Sequence, residues 1–327
     1  MGSWRENVRM VVEKAMGVKE GDIFLVVGSR ACEEVARAFW EAGRRVTTAY
    51  LTFMEDYGER PFAGLPYAFE DYARLVRPTV TAYVADVLPG ELPFRKAMIR
   101  LFVEELGARH AHMPGIDTEV LSDMGDPDDV ERTTSFVHSC VRDAREIRVV
   151  TKDGTDLYVR VGRWRWVPEG AFLRSGWMNI PSGEVFTTPE NVEGVAVING
   201  SLGGPFQRFG RLKEPVRVVI EGGEAVDMSG GEAASELWRY LSDHPCGLRV
   251  GEFAIGTNVG MRRIVGNLLH DEKFPGVHVA FGDPLGELTG ADWECDVHVD
   301  GVITGTTVLV DGTKIMEEGR FVEAGRD

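Results

Sequence analysis

Four short segments in the second half of the chain carry side chains able to ligate a metal ion. They are Pro181–Pro189 with Glu184, Gly251–Gly256 with Glu252, Gly276–Gly282 with His278, and Asp296–Gly301 with His298 and Asp300. Each has the texture of a β-strand, in which alternate side chains share a face. One face of the second segment is then Glu252, Ala254 and Gly256, and one face of the third is His278, Ala280 and Gly282. The reverse faces read Phe253 and Ile255, and Val277, Val279 and Phe281. The fourth segment sets His298 and Asp300 against Val297 and Val299. A ligand flanked by alanine and glycine, over an apolar reverse face, suits a strand that lines a cavity while anchored to a core. Buried carboxylates are unfavourable unless paired or metal-bound. Three of them beside two imidazoles therefore predict one polynuclear divalent-metal site, with donors that suit zinc, manganese, cobalt or non-haem iron.

Other residues carry weaker signals. Glu272, in the loop His270-Asp271-Glu272 ahead of His278, is placed to be a sixth ligand, a general base or a solvated loop carboxylate, with Asp283 behind it as a proton carrier. His110 and His112 form a His-x-His pair on one strand face without a carboxylate to join them, and are read as structural. The cysteines Cys32, Cys140, Cys246 and Cys295 are scattered without Cys-x-x-Cys spacing, which predicts reduced thiols in a cytoplasmic protein.

The elements that must position these residues fall into two textures. Up to about residue 145 helix and strand patterns alternate: helical 4–17, the apolar run Ile23–Val27, helical 31–43, strand-like 45–51 and 80–87, helical 94–106, and a short strand from Arg109. That alternation predicts an N-terminal three-layer α/β/α domain over residues 1–145. Gly28 is followed by Ser29-Arg30-Ala31, so the glycine-rich dinucleotide fingerprint is absent. A helix opening at Pro127 with Asp128, Asp129 and Glu131 in its first turn carries the chain onward. From Glu146 short β runs alternate with glycine-rich turns, with one inserted helix near Gly231–Leu241. Residues 146–327 thus read as a β-rich, mostly antiparallel metal-binding domain, closed by a hairpin of Val297–Ile303 and Thr306–Val310.

Composition sets outer limits. The 327 residues are 43% hydrophobic and 27% charged, which marks a globular chain. With 52 acidic against 36 basic residues the formal charge is -16, which disfavours nucleic acid and anionic membranes as partners and suits divalent cations or substrates with a free amine. The first residues show no basic-then-apolar leader, and no apolar run reaches membrane-spanning length.

The Glu184 and Glu252 segments, His278 behind an acidic loop, and the terminal His298-x-Asp300 resemble in order and spacing the thermophilic metallo-aminopeptidases called aminopeptidases T and S. Gly154-Thr155-Asp156-Leu157 is similar to that family's opening of the catalytic domain. The resemblance spans essentially the whole chain, with its specific motifs within residues 154–312. It implies a homodimer holding two divalent metal ions (zinc, cobalt or manganese) and releasing N-terminal amino acids from small peptides or amino-acid amides. By this likeness Glu184, Glu252, His278, His298 and Asp300 are ligands and Glu252 is the bridge. The family's peptidases carry a tyrosine a few residues after the third-segment histidine, whereas Val279–Gly286 contains none. A sister group, the dihydroxypyridine ring-cleaving dioxygenases, holds one iron through two histidines and a carboxylate. That group has histidine where Glu252 stands and no acid at Glu184, so both glutamates place this chain nearer the peptidases. An iron oxygenase built on His278, His298 and Asp300, and a non-catalytic metal-dependent binding protein, are the alternatives.

Overall fold

The apolar run Ile23–Gly28 forms β1, paired in parallel with β2 (Thr48–Phe53) on one edge and β3 (Val80–Ala85) on the other. A strand bonded along both edges and covered on both faces has no side left for polar residues, and Phe24–Val27 are fully buried. β4 (Arg109–Pro114) extends the sheet beyond β3, and the later segment Trp177–Asn179 adds a fifth parallel strand. Helices cover both faces. α1 (Trp4–Met10), whose Ser3 cap accepts from the Glu6 amide, and α2 (Glu33–Arg44) pack together, and α2 lies against β1 and β2. A Cβ added at Gly43 of α2 would meet the Phe24 ring at 2.2 Å, so only glycine allows this approach. α3 (Tyr67–Val76) and α4 (Leu92–Arg100) bring Phe69 and Phe94 onto Leu25 and Val27 from the other face. The expected three-layer α/β/α arrangement is what forms.

The computed structural model describes residues 3–322. Its two compact units are Met1–Asp128 with Ala171–Ser182, and Asp129–Gly170 with Gly183–Asp327. This division differs from a single cut at residue 145 for two reasons. After the short α5 (Thr118–Ser122), α6 (Pro127–Val141) buries Val130, Thr134, Val137 and Val141 along one stripe, and Val137 and Val141 belong to the second unit's core. Residues 171–182 then return to the first unit, where their strand pairs with β4.

The second unit is built on two antiparallel sheets. β5 (Glu146–Val150) and β6 (Asp156–Arg160) form a hairpin; β7 (Val167–Glu169) follows, and β8 (Trp177–Asn179) is the strand given to the first unit. Next come β9 (Glu184–Thr187), β10 (Asn191–Ile198), β11 (Val216–Glu221), β12 (Glu224–Ser229), α7 (Gly231–Ser242) and β13 (Val250–Gly256). The short α8 (Leu268–Asp271) leads to β14 (Gly276–Gly282), β15 (His298–Ile303), β16 (Thr307–Val310), β17 (Thr313–Glu317) and β18 (Arg320–Phe321). The larger sheet runs β12-β11-β10-β6-β5-β16-β17-β18 and the smaller β15-β14-β13-β9-β7. One apolar core joins them: Ile147, Val149, Val159, Val218 and Val308 from the first meet Val185, Phe253, Ile255, Val279, Phe281 and Val299 from the second.

Two expectations are corrected here. Val297–Ile303 and Thr306–Val310 are not a hairpin: β15 pairs with β14, and β16 crosses to the other sheet to pair with β5. Both segments feed valines into the same core from opposite sheets, so their hydrophobic alternation looks alike in sequence. The cysteines are not all reduced thiols either. Cys246 and Cys295, 49 residues apart, form a disulfide, while Cys32 and Cys140 are free. Spacing alone cannot show that the turn after α7 lies beside the loop entering β15. Among the described residues no helix is long and apolar enough to cross a membrane.

Because Phe253 anchors the back of the central strand of the smaller sheet with no exposure, Phe253→Ala is expected to destabilise the chain by about 3–5 kcal/mol. Chemical denaturation followed by far-UV circular dichroism measures this; a loss below about 1 kcal/mol would show that the sheet does not depend on that face.

Candidate metal centre

All five candidate ligands lie on one face of the smaller sheet, and the register explains how they find room. Across the strand pairs Glu184 stands opposite Gly256, His278 opposite Ala254, Glu252 and Asp300 opposite Ala280, and His298 opposite Gly282. Directly opposed residues point to the same face, so each large ligand has a small neighbour and their heads converge instead of colliding. A further small residue backs the last ligand: a Cβ on Gly203 would lie 2.6 Å from Asp300 Oδ2 and 3.0 Å from its amide nitrogen.

Glu252 is the hinge of the cluster. Its Oε1 lies 3.5 Å from His278 Nε2, which is also 3.5 Å from Glu184 Oε2. Its Oε2 lies 3.2 Å from His298 Nε2, which is 3.2 Å from Asp300 Oδ1. The ligand atoms of Glu184, Glu252 and His278 lie within 4.8 Å of one another, and so do those of Glu252, His298 and Asp300. A tetrahedral cation with bonds of about 2.0–2.2 Å separates its ligand atoms by about 3.3–3.6 Å, close to the 3.2–3.5 Å between each imidazole and its carboxylates. Glu184 Oε2, buried and without a hydrogen-bond partner, is the kind of atom a cation satisfies. The donor set therefore fits divalent metal.

His298 is oriented from behind. Its Nδ1 lies 2.9 Å from the Asp283 carbonyl oxygen, which can only accept, so Nδ1 carries the proton and Nε2 is left to face the carboxylates. The Asp283 carboxylate in turn accepts from the amides of Leu285 and Cys295. Asp283, expected as a reserve proton carrier, thus braces the loop. Asp271 does the same elsewhere, accepting from Val265 and Gly266 amides and pairing with His270. His110 bonds Thr81 and His112 inside the first unit, burial pushing its pKa down to about 3, as befits a neutral structural imidazole.

Lys273 and Glu169 are the residues that the sequence did not disclose. The Lys273 ammonium, fully buried, lies 2.5 Å from Glu184 Oε1, 3.0 Å from Glu272 Oε1 and 3.3 Å from Glu169 Oε2. The one available signal was the Asp271-Glu272-Lys273 run, which reads as an ordinary solvated loop.

The metal-free cluster is electrostatically loaded. Burial drives Glu184 up to about 8 against the pull of Lys273. Burial raises Glu272 too, again opposed by Lys273. Burial works against Glu252 as well, but hydrogen bonds from His278 and His298 hold it well below the usual carboxylate range. His278 is desolvated, yet the carboxylates around it lift its ring to about 9.

Fold and cluster define a two-domain α/β protein with a candidate divalent-metal centre in its β-rich unit. Residues 133–321 match the family described as thermophilic metalloprotease (M29), and the chain belongs to that family. It is 32% identical over 190 residues to aminopeptidase T of Thermus aquaticus, covering 52% of this chain and 45% of that protein. It is also 30% identical over 128 residues to 2,5-dihydroxypyridine 5,6-dioxygenase of Pseudomonas putida, covering 38% of this chain and 36% of that one. The chain therefore matches less than half the length of these two relatives. The fold likeness is longer: AmpT from Thermus thermophilus superposes with a TM-score of 0.68 at 19% identity, covering 98% of each chain. The 2,5-dihydroxypyridine dioxygenase of Pseudomonas putida superposes at 0.69 and 18%, covering 99% of this chain and 97% of the other.

His278 and Glu184 are two of the groups that shape the pH behaviour of the metal-free protein. A histidine raised to about 9 and a carboxyl raised to about 8 both give stability that is complete below their unfolded pKa values and lost as pH rises through the folded ones. A bound cation replaces the imidazole proton, so its stabilisation should grow as pH rises. We expect the metal-induced increase in Tm, measured with chelator and with added Zn²⁺, Mn²⁺ or Co²⁺, to be larger at pH 8.5 than at pH 6. An equal increase at both would count against the cluster as the binding site.

Proposed function

We propose that the chain is a dinuclear metallo-aminopeptidase, most simply leucyl-aminopeptidase-like, that releases N-terminal residues from small peptides or amino-acid amides. The observation that carries this reading is the division of Glu252, one oxygen toward Glu184 and His278 and the other toward His298 and Asp300. Glu184, Glu252 and His278 would hold one ion, and Glu252, His298 and Asp300 the other. Two bound divalent cations (zinc, cobalt or manganese) would supply a water of lowered pKa and an electrophilic contact for the scissile carbonyl.

The chain's own residues supply the rest. Glu272 lies at the edge of the cluster with its pKa raised by burial, as suits a group that takes a proton from the attacking water and returns it to the leaving amine. The Asp283 carbonyl keeps His298 turned toward the cluster through the cycle. The surplus of carboxylates favours a substrate whose free amine is protonated. The family tyrosine has no counterpart in Val279–Gly286, so stabilisation of the reacting carbonyl would rest on the metal centre itself. The chain is proposed to work as a homodimer, in keeping with the family it resembles.

Likeness to a ring-cleaving dioxygenase supports a second reading, one iron on His278, His298 and Asp300. It has less support, because the two ligand groups of this cluster both contain Glu252 and neither contains both histidines. Glu252→Gln separates the two. It keeps the shape but removes the charge and half the ligating capacity, so under the dinuclear reading one metal per chain and at least 100-fold of the turnover of aminoacyl anilides should be lost, roughly the penalty for removing a key electrostatic contact. Unchanged metal stoichiometry by elemental analysis would rule out the bridge. Oxygen uptake with a hydroxylated aromatic would establish the oxygenase, and metal binding without turnover of any amide would establish a binding protein.

A further inference from the structure

Lys273 sits where four segments meet. Its amide donates to the His270 carbonyl and its carbonyl accepts from the Asn258 amide, both bonds within the second unit. Gly256, which faces Glu184 across the sheet, makes room for it: a Cβ there would lie 2.1 Å from Phe274 O and 2.9 Å from Lys273 O. Glu169 of β7 is in register with Glu184 of β9, so both carboxylates reach the ammonium from adjacent strands. An ammonium has three donors, and here three carboxylates surround it. No donor is left for a substrate, and no lone pair is free for a nucleophile or a base. Its role must be exerted through its partners.

The partner that matters is Glu184. Its two oxygens point apart, Oε1 to Lys273 at 2.5 Å and Oε2 toward His278 Nε2 at 3.5 Å. A carboxylate beside a divalent cation can chelate it through both oxygens or bind through one. We propose that Lys273 is a positioning residue that locks Glu184 into single-oxygen ligation, holding Oε1 so that only Oε2 is offered to the metal. The inference rests on the metal-centre reading above. Its consequence is a coordination position kept open on that ion, which a catalytic site requires and a closed structural site lacks. The charges agree with this role. Glu169, Glu184, Glu252, Glu272 and Asp300 with one ammonium leave four negative charges, which two divalent ions neutralise. When the metals are absent, the ammonium keeps the carboxylates of Glu169, Glu184 and Glu272 from repelling one another.

The test uses the full chain with Lys273→Met, which keeps the unbranched chain as far as Cε and removes the charged nitrogen. Loaded with Co²⁺, the variant should show a visible absorption band that loses intensity, since a chelating Glu184 raises the coordination number. In a Glu184→Gln background, where the side chain has one good donor oxygen, Lys273→Met should leave the band unchanged. The Tm of the metal-free variant should fall by about 10 °C, the usual scale for stranding buried charges, while the metal-loaded Tm falls by less than half as much. A Lys273→Met band identical to the parent's, with equal falls in both Tm values, would reduce Lys273 to a plain ion pair and overturn the proposal. Should the variant not fold without metal, refolding with and without Zn²⁺ decides: recovery only with the ion supports the proposal, failure in both overturns it. A parent chain that shows no cobalt band removes the metal-centre reading itself, whereas an unchanged band in a cobalt-loaded variant removes this inference alone.

Discussion

Carboxylates that leave water need positive charge within a few ångströms, because an unpaired buried anion costs several kcal/mol. The smaller sheet of the second unit gathers Glu184, Glu252 and Asp300 on one face, with Glu169 and Glu272 at its margin. Two imidazoles and one ammonium stand among them. Much else in the unit follows from that demand. Each candidate ligand has an alanine or glycine opposite it on one neighbouring strand, because charged heads must converge. The reverse face carries Val185, Phe253, Ile255, Val277, Val279, Phe281 and Val299 into the core, because only a firm core can hold a repulsive cluster in place. The loop before β15 is tied by a disulfide and by the Asp283 carboxylate, so that the last pair of ligands arrives fixed.

The same constraint separates two kinds of buried charge. In the first unit Arg60 is satisfied by Glu91, Asp86 and Glu55, a closed arrangement whose burden is shared among fixed side chains. In the second unit compensation is incomplete, and Glu184 Oε2, 3.5 Å from His278 Nε2, has no hydrogen-bond partner. The difference sets the closed first arrangement apart from the second, whose donors fit a divalent cation. His110 and His112 belong with the first kind, stacked on Phe102 and Tyr83 and neutral by burial.

Much of this was legible in the sequence, for physical reasons. Period-two alternation around Glu252, His278 and His298 is a local property of strands, so their shared face could be read before any pairing was known. The alternating layers of the first unit were equally visible, since Ile23–Val27 has the continuous apolar character of a doubly covered strand. What stayed hidden depends on contacts between distant segments. Lys273 and Glu169 look like surface charges until β7, β9 and the loop after α8 are brought together. Cys246 and Cys295 gave no spacing signal. The segment Thr307–Val310 alternates as a hairpin partner would, but its mate lies in the other sheet. Asp283 carried a carboxylate that suggested proton transfer, while its useful atom is a backbone carbonyl with no sequence signature.

The smaller sheet has one more property. Its strands lie side by side in the order in which the chain is made, β7, β9, β13, β14 and β15, with no strand inserted out of turn. A ribosome therefore delivers the candidate ligands in the order of their neighbours in the sheet, which allows each new strand to add to an edge that is still open to water. Glu184 and Glu252 need not surrender their hydration until His278, His298 and Asp300 follow. This order allows the electrostatic burden of the cluster to be deferred to β15, the strand that brings His298 together with Asp300. A sheet with shuffled strand order would have to bury its anions early and wait. Sequential topology lets a chain of this charge assemble its most repulsive region without passing through a state in which that region stands dry and unpaired.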